Sequence, residues 1–367
     1  MAGAFRSILL TPNLLGKDGV STLSREVRCA LPSPCLVLSL HDGEVPEDNL
    51  LRGARSSRVR FMADVARAMR SVTPDTVIVC SHLHLAPAAR LLACRGQRAS
   101  VILCGIEAWV ALRTQEKWAL SGSDTMAISQ HTVDRFKAAN PAFASTEVVV
   151  CHPGLPSKPS SGSTPPEPFD VSRAQSALIV ARMSAAERYK GHDALLDDWP
   201  RLLRRHPNAV LTIAGDGDDR PRLESRVESL GITRAVRFVG PVGDERLNEL
   251  YRQCRLFVMP SRDEGFGLVF LEAMRAGKPC IGGRGAASEI IQHGVTGLIV
   301  DSDSRPDLSA ALERLYNEPE TCREFGEAGR RRFLSTFTHD SFQTRFRAAL
   351  GGRPVVALAA SVSSGLS

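Results

Sequence analysis

Short apolar runs alternate with helix-length segments along most of the chain, and this alternation constrains the fold more than any other feature. The runs are SILLT, CLVLSL, TVIVC, SVILC, TMAIS and TEVVVC in the first half, then ALIVA, AVLTIAG, AVRFVG, LFVMP, PCIGG and GLIV. Strands that alternate with helices form parallel sheets with helices on both faces. The sequence therefore predicts an α/β protein of two doubly wound, Rossmann-like domains that face a cleft.

The boundary between these domains is predicted from composition. Proline, serine and glycine are concentrated in residues 152–171, as is typical of a linker. We therefore predict an N-terminal domain over residues 1–151 and a C-terminal domain over 172–335. Residues 336–350 are expected to form a helix that returns to the N-terminal domain, and residues 351–367 a flexible tail.

Composition excludes several classes of protein. The chain is 43% hydrophobic and 23% charged, which is ordinary for a globular protein and argues against a fibre or a disordered chain. No apolar run is long enough to span a bilayer, and the N-terminal SILL is too short for a signal peptide, so a cytoplasmic protein is expected. The nine cysteines are scattered without a C-x-x-C pair, which argues against zinc and against a disulfide framework.

Two glutamates stand in the otherwise apolar or glycine-rich stretch EGFGLVFLEAM, and they raise a question about function. A helix is predicted from about Gly267 to Arg275, directly after a strand and a tight loop, and the amides at a helix start can bind an anion. Glu264 stands at the mouth of that site and Glu272 lies over a turn further in. Carboxylates accept hydrogen bonds from vicinal hydroxyls of a ribose or sugar. The alternative is structural: a helix-start glutamate and a buried ion pair.

Other polar residues also follow predicted strands. Arg182 and Lys190 flank a strand-end loop, and two such cations suit a diphosphate, although a surface pair is the alternative. Gly16 and Gly19 stand between a strand and a helix in a turn that resembles a phosphate cradle. The chain has neither a P-loop nor a complete G-x-G-x-x-G motif, which argues against a kinase-like ATPase and a standard dehydrogenase.

Three further polar residues follow strands of the first half. His82 and His84 come after one strand, and Glu107 comes after the next. Hydrogen bonding to a polar substrate is one interpretation of the histidines, and a structural role is another. A metal site is a third, but no nearby carboxylate or cysteine completes a ligand set.

The second half resembles a known family. The stretch from ARMSAAERYKGHDALL through MPSRDEGFGLVFLEAMRAGKPCIGG to GVTGLIVD, within residues 178–301, is similar to the donor-binding half of retaining glycosyltransferases of family four. These enzymes have the two-domain GT-B fold. HLHLAP, GIEAW, AISQHT and HPGL extend the resemblance over the first half, and together they resemble enzymes of bacterial polysaccharide assembly.

The resemblance implies roles for particular residues. Arg182 and Lys190 would hold the diphosphate of a nucleotide sugar, Glu264 would contact the transferred sugar, and Glu272 would bind the ribose. The donor-binding set would comprise Gly16, Gly19, Gly265, Phe266, Gly267, Leu268, Val269 and Glu272, and the acceptor side His82, His84 and Glu107. Many relatives carry a histidine where this chain has Cys104, and a thiol is a weaker donor than an imidazolium.

The implied function is transfer of a hexose, with retention, from GDP-mannose or UDP-glucose to a glycan or a lipid-linked acceptor. Neither a metal nor another cofactor is expected. Two alternatives remain open at this point: a non-catalytic GT-B subunit that binds a nucleotide sugar, and a sugar-nucleotide epimerase.

The basic residues indicate a further partner. The chain has a net charge of +6, and six arginines fall within residues 52–70. If residues 56–70 form a helix, then Phe61, Met62, Val65 and Met69 share one face, which is expected to pack on the N-terminal sheet while the arginines face out. We therefore expect electrostatic, salt-sensitive attachment of the segment Arg52–Arg70 to an anionic membrane, with a merely solvated helix face as the alternative. No nucleic acid partner is expected.

Overall fold

The computed structural model describes residues 5–43, 45, 47–158 and 175–351. Contacts between Cα atoms divide these residues into two compact units, one of residues up to 154 together with those from 339, and one of residues 155–338. We call them unit 1 and unit 2. Residues 159–171 of the predicted linker and 352–367 of the predicted tail lie outside the described residues.

Unit 1 contains a sheet of seven strands among its described residues, in the order β3-β2-β1-β4-β5-β6-β7. All six pairings are parallel. The strands are β1 (Ser7–Thr11), β2 (Cys35–Ser39), β3 (Leu51–Gly53), β4 (Val77–Cys80), β5 (Ala99–Leu103), β6 (Ser123–Ala127) and β7 (Val148–Val150). β1, β2 and β5 are buried along their whole lengths, because helices cover both faces of a parallel sheet.

The described α-helices of unit 1 come from its two chain segments, one before unit 2 and one after it. They are α1 (Gly19–Ala30), α2 (Arg58–Ala68), α3 (Ala86–Leu92), α4 (Thr114–Ser121), α5 (Gln130–Ala139) and, after unit 2, α13 (His339–Leu350). α13 packs on α1, where Arg347 Nε donates to Ala30 O at 3.0 Å and the His339 ring meets the Glu26 carboxylate.

Unit 2 contains a sheet of six strands among its described residues, in the order β10-β9-β8-β11-β12-β13, again with every pairing parallel. The strands are β8 (Ser176–Val180), β9 (Val210–Ala214), β10 (Val236–Gly240), β11 (Leu256–Met259), β12 (Cys280–Gly283) and β13 (Gly297–Val300). The helices are α6 (His192–Arg205), α7 (Arg220–Ser229), α8 (Asp244–Gln253), α9 (Leu268–Arg275), α10 (Ala287–Ile290), α11 (Arg305–Asn317) and α12 (Pro319–Thr336).

The prediction of two doubly wound domains with parallel sheets is confirmed. The twelve apolar runs all form strands, and β3 is the strand that the pattern missed, because its three residues carry no apolar run. α9 begins one residue later than predicted, since Gly267 has a φ of 99° and serves as the N-cap. α6 continues through Pro200 to Arg205, beyond the segment GHDALLDDW that the sequence indicated.

One prediction for α2 was wrong. Its buried residues are Phe61, Val65 and Ala68, whereas the side chain of Met62, which was expected to be buried, is 42% exposed. Each residue turns an α-helix by about 100°, so Met62 lies about 100° around the axis from Phe61. The spacing i, i+4, i+7 defines the packed face, and an adjacent residue lies outside it.

Among the described helices, none combines the length and the apolar character that a membrane crossing requires.

Candidate functional site

The strand order of each unit reverses direction at one point, and most of the candidate residues follow the strands at that point. In unit 2 the chain builds outward from β8 in one direction and from β11 in the other, so these two neighbours form the switch point. In unit 1 the equivalent neighbours are β1 and β4. At a switch point the loops after two adjacent parallel strands diverge and leave a crevice, which is where open α/β sheets bind ligands.

An ion pair joins the two loops at the switch point of unit 2. The Nζ atom of Lys190, after β8, lies 2.6 Å from Oε2 of Glu264, after β11. Both side chains are mostly buried, with 16% and 18% of their surfaces exposed. The structure thus brings together two predicted site residues that are 74 positions apart in sequence.

A glycine fixes the position of Lys190. The loop Ala185–Lys190 is a 3-10 helix that ends at Gly191, whose φ of 93° favours glycine. A Cβ atom at Gly191 would lie 2.9 Å from the carbonyl oxygen of Pro260, directly after β11. Any other residue would therefore push the Lys190 loop away from the strand end that carries Glu264.

Asp219 also holds this loop, and sequence reasoning missed it. Its carboxylate accepts from Arg222 at 2.6 Å and from Arg188, in the Lys190 loop, at 2.8 Å. The Arg222 guanidinium, followed by that of Arg188, lowers the pKa of Asp219 to about 2. Asp219 is thus a positioning residue. Its only signal in the sequence is the run GDGDDRP, which does not indicate which carboxylate is buried.

Arg182, the other predicted cation, is placed differently. It follows β8, but its side chain is 62% exposed and lies 3.5 Å from Oε1 of Glu187. It is therefore held less firmly than Lys190.

The start of α9 supplies backbone donors beside Glu264. The first amides of an α-helix have no partner within the helix, and here they belong to Leu268 and Val269. Phe266 has its side chain buried, with 2% exposed, so it offers only backbone atoms to a ligand. Gly267 cannot carry a Cβ atom, which would lie 2.6 Å from the Phe270 ring.

Glu272 lies further along α9 and has a different environment from Glu264. Its Oε2 accepts a hydrogen bond from the Tyr251 hydroxyl at 2.9 Å, and the residue as a whole is half-buried. Burial raises the pKa of Glu272, while the Tyr251 hydrogen bond and the charge of Arg275 oppose that rise. Tyr251, which sequence reasoning missed, orients this carboxylate and leaves Oε1 without a partner among the described residues.

The switch point of unit 1 forms a pocket of about 330 Å³. Its lining comes from the loops after β1, β2 and β4, namely Pro12, Asn13, Asp18, Val20, Leu40, His41, His82, His84 and Leu85. The structure thus brings His82 and His84 together, with ring centroids 4.9 Å apart. Burial and the neighbouring His84 lower the pKa of His82 to about 4, so its imidazole is neutral at pH 7.

The predicted phosphate-binding turn with Gly16 and Gly19 contains a carboxylate, that of Asp18. Asp18 is the N-cap of α1, and its carboxylate accepts from Ser21 N at 2.9 Å and Ser21 Oγ at 2.8 Å. Burial favours the protonated form, but these hydrogen bonds outweigh it and lower the pKa of Asp18. A phosphate at this helix start would meet a carboxylate.

Cys104 and Glu107 lie after β5, next to β4 in the sheet. The Cys104 thiol is 3.1 Å from Ser81 O, and Glu107 Oε1 accepts from Cys104 N at 2.6 Å. Burial raises the pKa of both side chains. Cys104 is thus a neutral thiol. Among the described residues of both units, no three His, Cys, Asp or Glu side chains are grouped as metal ligands would be.

Comparisons with known proteins identify relatives of this chain. Residues 165–332, just under half of the chain, match the family model described as Glycosyl transferases group 1. The chain is 34% identical over 151 residues to the D-inositol 3-phosphate glycosyltransferase of Corynebacterium urealyticum. The matched segment covers 39% of this chain and 36% of that protein. The chain is also 29% identical over 245 residues to a GDP-mannose-dependent alpha-(1-6)-phosphatidylinositol monomannoside mannosyltransferase of Mycobacterium tuberculosis, covering 63% of this chain and 62% of the relative.

A solved structure extends the similarity to nearly the whole fold. Anabaena HepE in complex with UDP-glucose superposes with a TM-score of 0.76 at 18% identity, covering 94% of this chain and 99% of HepE. Identity this low indicates a shared fold alone. Residues 165–332, which carry Arg182, Lys190, Glu264 and Glu272, therefore match the glycosyl transferases group 1 family, within a chain that has the GT-B fold.

Proposed function

We propose that this protein is a retaining glycosyltransferase that moves a hexose from a nucleotide-diphospho-sugar to a glycan or a lipid-linked acceptor in polysaccharide biosynthesis. The observation that carries the proposal is the Lys190–Glu264 pair, because it stands at the switch point of unit 2 within the segment that matches the family. A cation for phosphate and a carboxylate for hydroxyls, side by side, suit a sugar joined to a diphosphate.

The donor in this proposal is UDP-glucose or GDP-mannose. HepE was solved with UDP-glucose, and the mycobacterial relative is named GDP-mannose-dependent, so the two comparisons support one donor each. In unit 2, Lys190, Arg182 and the amides that begin α9 bind the diphosphate. Glu264 accepts hydrogen bonds from the sugar, and Oε1 of Glu272 accepts from the ribose.

Electrostatic stabilisation of the leaving group supplies most of the catalysis. Negative charge grows on the diphosphate as the glycosidic bond breaks, and preorganised cations and amides stabilise that charge in the transition state. The acceptor hydroxyl attacks on the face from which the diphosphate leaves, and a phosphate oxygen takes its proton. Arg182, Lys190 and Glu264 are the residues that we assign to this step.

Unit 1 binds the acceptor in this proposal. His82 in its neutral form, His84 and Glu107 are suited to hydrogen bonds with sugar hydroxyls, because all three can accept and none carries a fixed positive charge. Gly16 and Gly19 remain proposed donor contacts through their backbone, although the carboxylate of Asp18 makes a sugar a better neighbour there than a phosphate.

We further propose that the reaction needs no divalent metal and takes place on the cytoplasmic side of the plasma membrane. Lys190, Arg182 and the helix-start amides take the charge role that a metal has in other transferases. EDTA is expected to leave the rate unchanged. Loss of activity in EDTA that magnesium or manganese restores would contradict metal independence.

A panel of nucleotide sugars and acceptors tests the function directly. The purified chain is incubated with UDP-glucose or GDP-mannose and a glycan or lipid-linked acceptor, and nucleotide diphosphate release and product anomer are measured by NMR. The proposal predicts release that depends on the acceptor, and a product with the anomeric configuration of the donor. Conversion of the donor without an acceptor would indicate an epimerase, and donor binding without turnover a non-catalytic subunit.

A further inference from the structure

The surface of α2 and the turn before it carries arginines that lack ion-pair partners. All six arginines of this surface are exposed, and five of them have no carboxylate partner among the described residues: Arg52, Arg55, Arg58, Arg60 and Arg70. The sixth, Arg67, pairs with Asp64 at 2.7 Å. We call residues 52–70 the α2 surface.

Several arginines of unit 2 have carboxylate partners instead. In unit 2, Arg222 lies 2.7 Å from Asp193, Arg188 lies 2.8 Å from Asp219, and Arg205 lies 2.9 Å from Glu313. Unpaired like charges close together repel one another, so their concentration on one surface lowers stability unless an anionic partner binds there.

Apolar side chains lie among these arginines. Val59 is 81% exposed and Met62 is 42% exposed. Together with the exposed Ala66 they follow the spacing i, i+3, i+7, which places them in one stripe along the helix. The face that packs on unit 1, with Phe61, Val65 and Ala68, is a separate stripe.

The turn before α2 places Arg55 in a strained backbone conformation. Arg55 has a φ of 51° and the next residue, Ser56, has a φ of 64°, which is the left-handed region that glycine adopts without strain. Hydrogen bonds from Arg55 N to Asp42 O at 2.9 Å and from Ser56 N to Leu40 O at 2.7 Å fix this turn. An arginine thus occupies a conformation that favours glycine, although its side chain has no ion pair among the described residues.

We propose that the α2 surface binds an anionic lipid bilayer. The arginines bind lipid phosphates, while Val59 and Met62 enter the boundary between head groups and acyl chains. A bilayer offers negative charge and an apolar layer at the same surface, whereas a nucleic acid or an acidic protein segment offers charge without that layer. This changes the expectation from sequence, because attachment is partly apolar and salt removes only part of it. The inference does not depend on the proposed sugar transfer.

Sedimentation with liposomes tests the proposal on the full chain. Vesicles of phosphatidylcholine alone are compared with vesicles of equal parts phosphatidylcholine and phosphatidylglycerol, at low salt and at high salt. The wild type is expected to bind the phosphatidylglycerol vesicles, and to keep part of that binding at high salt. Arg58→Gln with Arg60→Gln is expected to weaken binding by about 25-fold at low salt, at about fivefold for each arginine. Val59→Ser with Met62→Ser is expected to abolish the part that resists salt.

Matched controls separate this surface from general effects of charge and hydrophobicity. Arg201→Gln with Arg205→Gln removes two charges that pair with Glu313, and Val295→Ser with Leu334→Ser removes two exposed apolar side chains of unit 2; neither is expected to change binding. Arg55→Gly is expected to weaken binding without lowering the melting temperature, since it relieves strain. Equal binding to both vesicle types, or binding that the α2 substitutions leave unchanged, would overturn the proposal. Equal affinity for a soluble polyanion such as heparin would overturn the assignment to a bilayer.

Discussion

The switch points of the two units have the same topology but opposite chemistry. In unit 2 the loops after β8 and β11 bring a lysine against a glutamate, with a second cation nearby. In unit 1 the loops after β1 and β4 bring the carboxylate of Asp18 and the neutral imidazole of His82 to one pocket. The crevice is a property of the strand order, but the ligand it suits depends on the residues at the strand ends.

This difference supports the proposed division of substrates between the two units. A diphosphate requires positive charge, which unit 2 supplies with Lys190 and Arg182. Hydroxyl groups require acceptors and neutral donors, which the unit 1 pocket supplies. The comparison thus supports a division in which unit 2 holds the donor phosphates and unit 1 holds sugar hydroxyls, and each prediction below tests one side of it.

The largest expected effect comes from removing the lysine of unit 2. Lys190→Ala is expected to lower kcat by about two to three orders of magnitude, the loss typical of one preorganised charge-stabilising group. Arg182→Ala is expected to cost less, about ten- to a hundredfold, because that side chain is more exposed and less firmly held. Steady-state kinetics with saturating donor measure both values.

Lys117→Ala is the control, since Lys117 is an exposed lysine of unit 1. It is expected to leave kcat unchanged. Thermal unfolding of each variant separates lost catalysis from lost folding. A Lys190→Ala protein that folds and turns over normally would remove the basis for placing the diphosphate in unit 2.

All strands but β3, and the loops that carry the proposed donor-side residues, could be predicted from sequence for a physical reason. Buried parallel strands are continuous apolar runs, and a glycine-rich loop between such a strand and a helix is local in the sequence. Strand order is not local. Nothing in the sequence indicated that β8 and β11 are neighbours, so the contact between Lys190 and Glu264 emerged only from the structure.

Residues that position others were beyond sequence reasoning for the same reason. Tyr251 is 21 positions from the Glu272 that it orients, and Asp219 is 31 positions from the Arg188 that it binds. Each is one polar residue among many on an amphipathic helix or in a loop. Met62 shows the reverse limit, since an apolar residue next to a buried one was assigned to the wrong face.

A moderate effect is expected from pH, because a buried neutral histidine lies in unit 2 as well as in unit 1. Burial lowers the pKa of His192 to about 4, below the ordinary value of 6.5. Between these values the unfolded chain binds a proton that the folded protein does not. The stability from neutral His192 is therefore complete above pH 6.5 and is lost as the pH falls toward 4, by up to about 3 kcal/mol.

Urea unfolding of wild type and His192→Asn at pH 7 and pH 4.5 measures this loss. The substitution is expected to reduce the dependence of the unfolding free energy on pH, whereas His293→Asn, at an exposed position, serves as the control. An unchanged dependence in His192→Asn would show that His192 has the same pKa in the folded and the unfolded chain.

The smallest effect is expected at Cys104 in unit 1. Cys104→Ser keeps a neutral donor within reach of Ser81 O, so activity is expected to change by less than about threefold. Transfer rates with saturating donor, and with the acceptor that the panel of nucleotide sugars and acceptors identifies, measure this change. A loss of activity far greater than threefold in Cys104→Ser would indicate that Cys104 acts as a thiolate. The site in unit 1 would then contain a charged nucleophile, and the contrast between the two units would fail.

The most direct test of the central claim is calorimetric titration of the nucleotide diphosphate and of the intact nucleotide sugar into wild type, Glu264→Ala and Glu272→Ala. Glu272→Ala is expected to weaken binding of the free nucleotide diphosphate about ten- to a hundredfold, because the ribose belongs to the nucleotide and loses a charged acceptor. Glu264→Ala is expected to leave that binding nearly intact and to weaken only the sugar-dependent part. The opposite pattern would mean that the donor lies in unit 2 in the reverse orientation, and no binding in wild type would contradict the account.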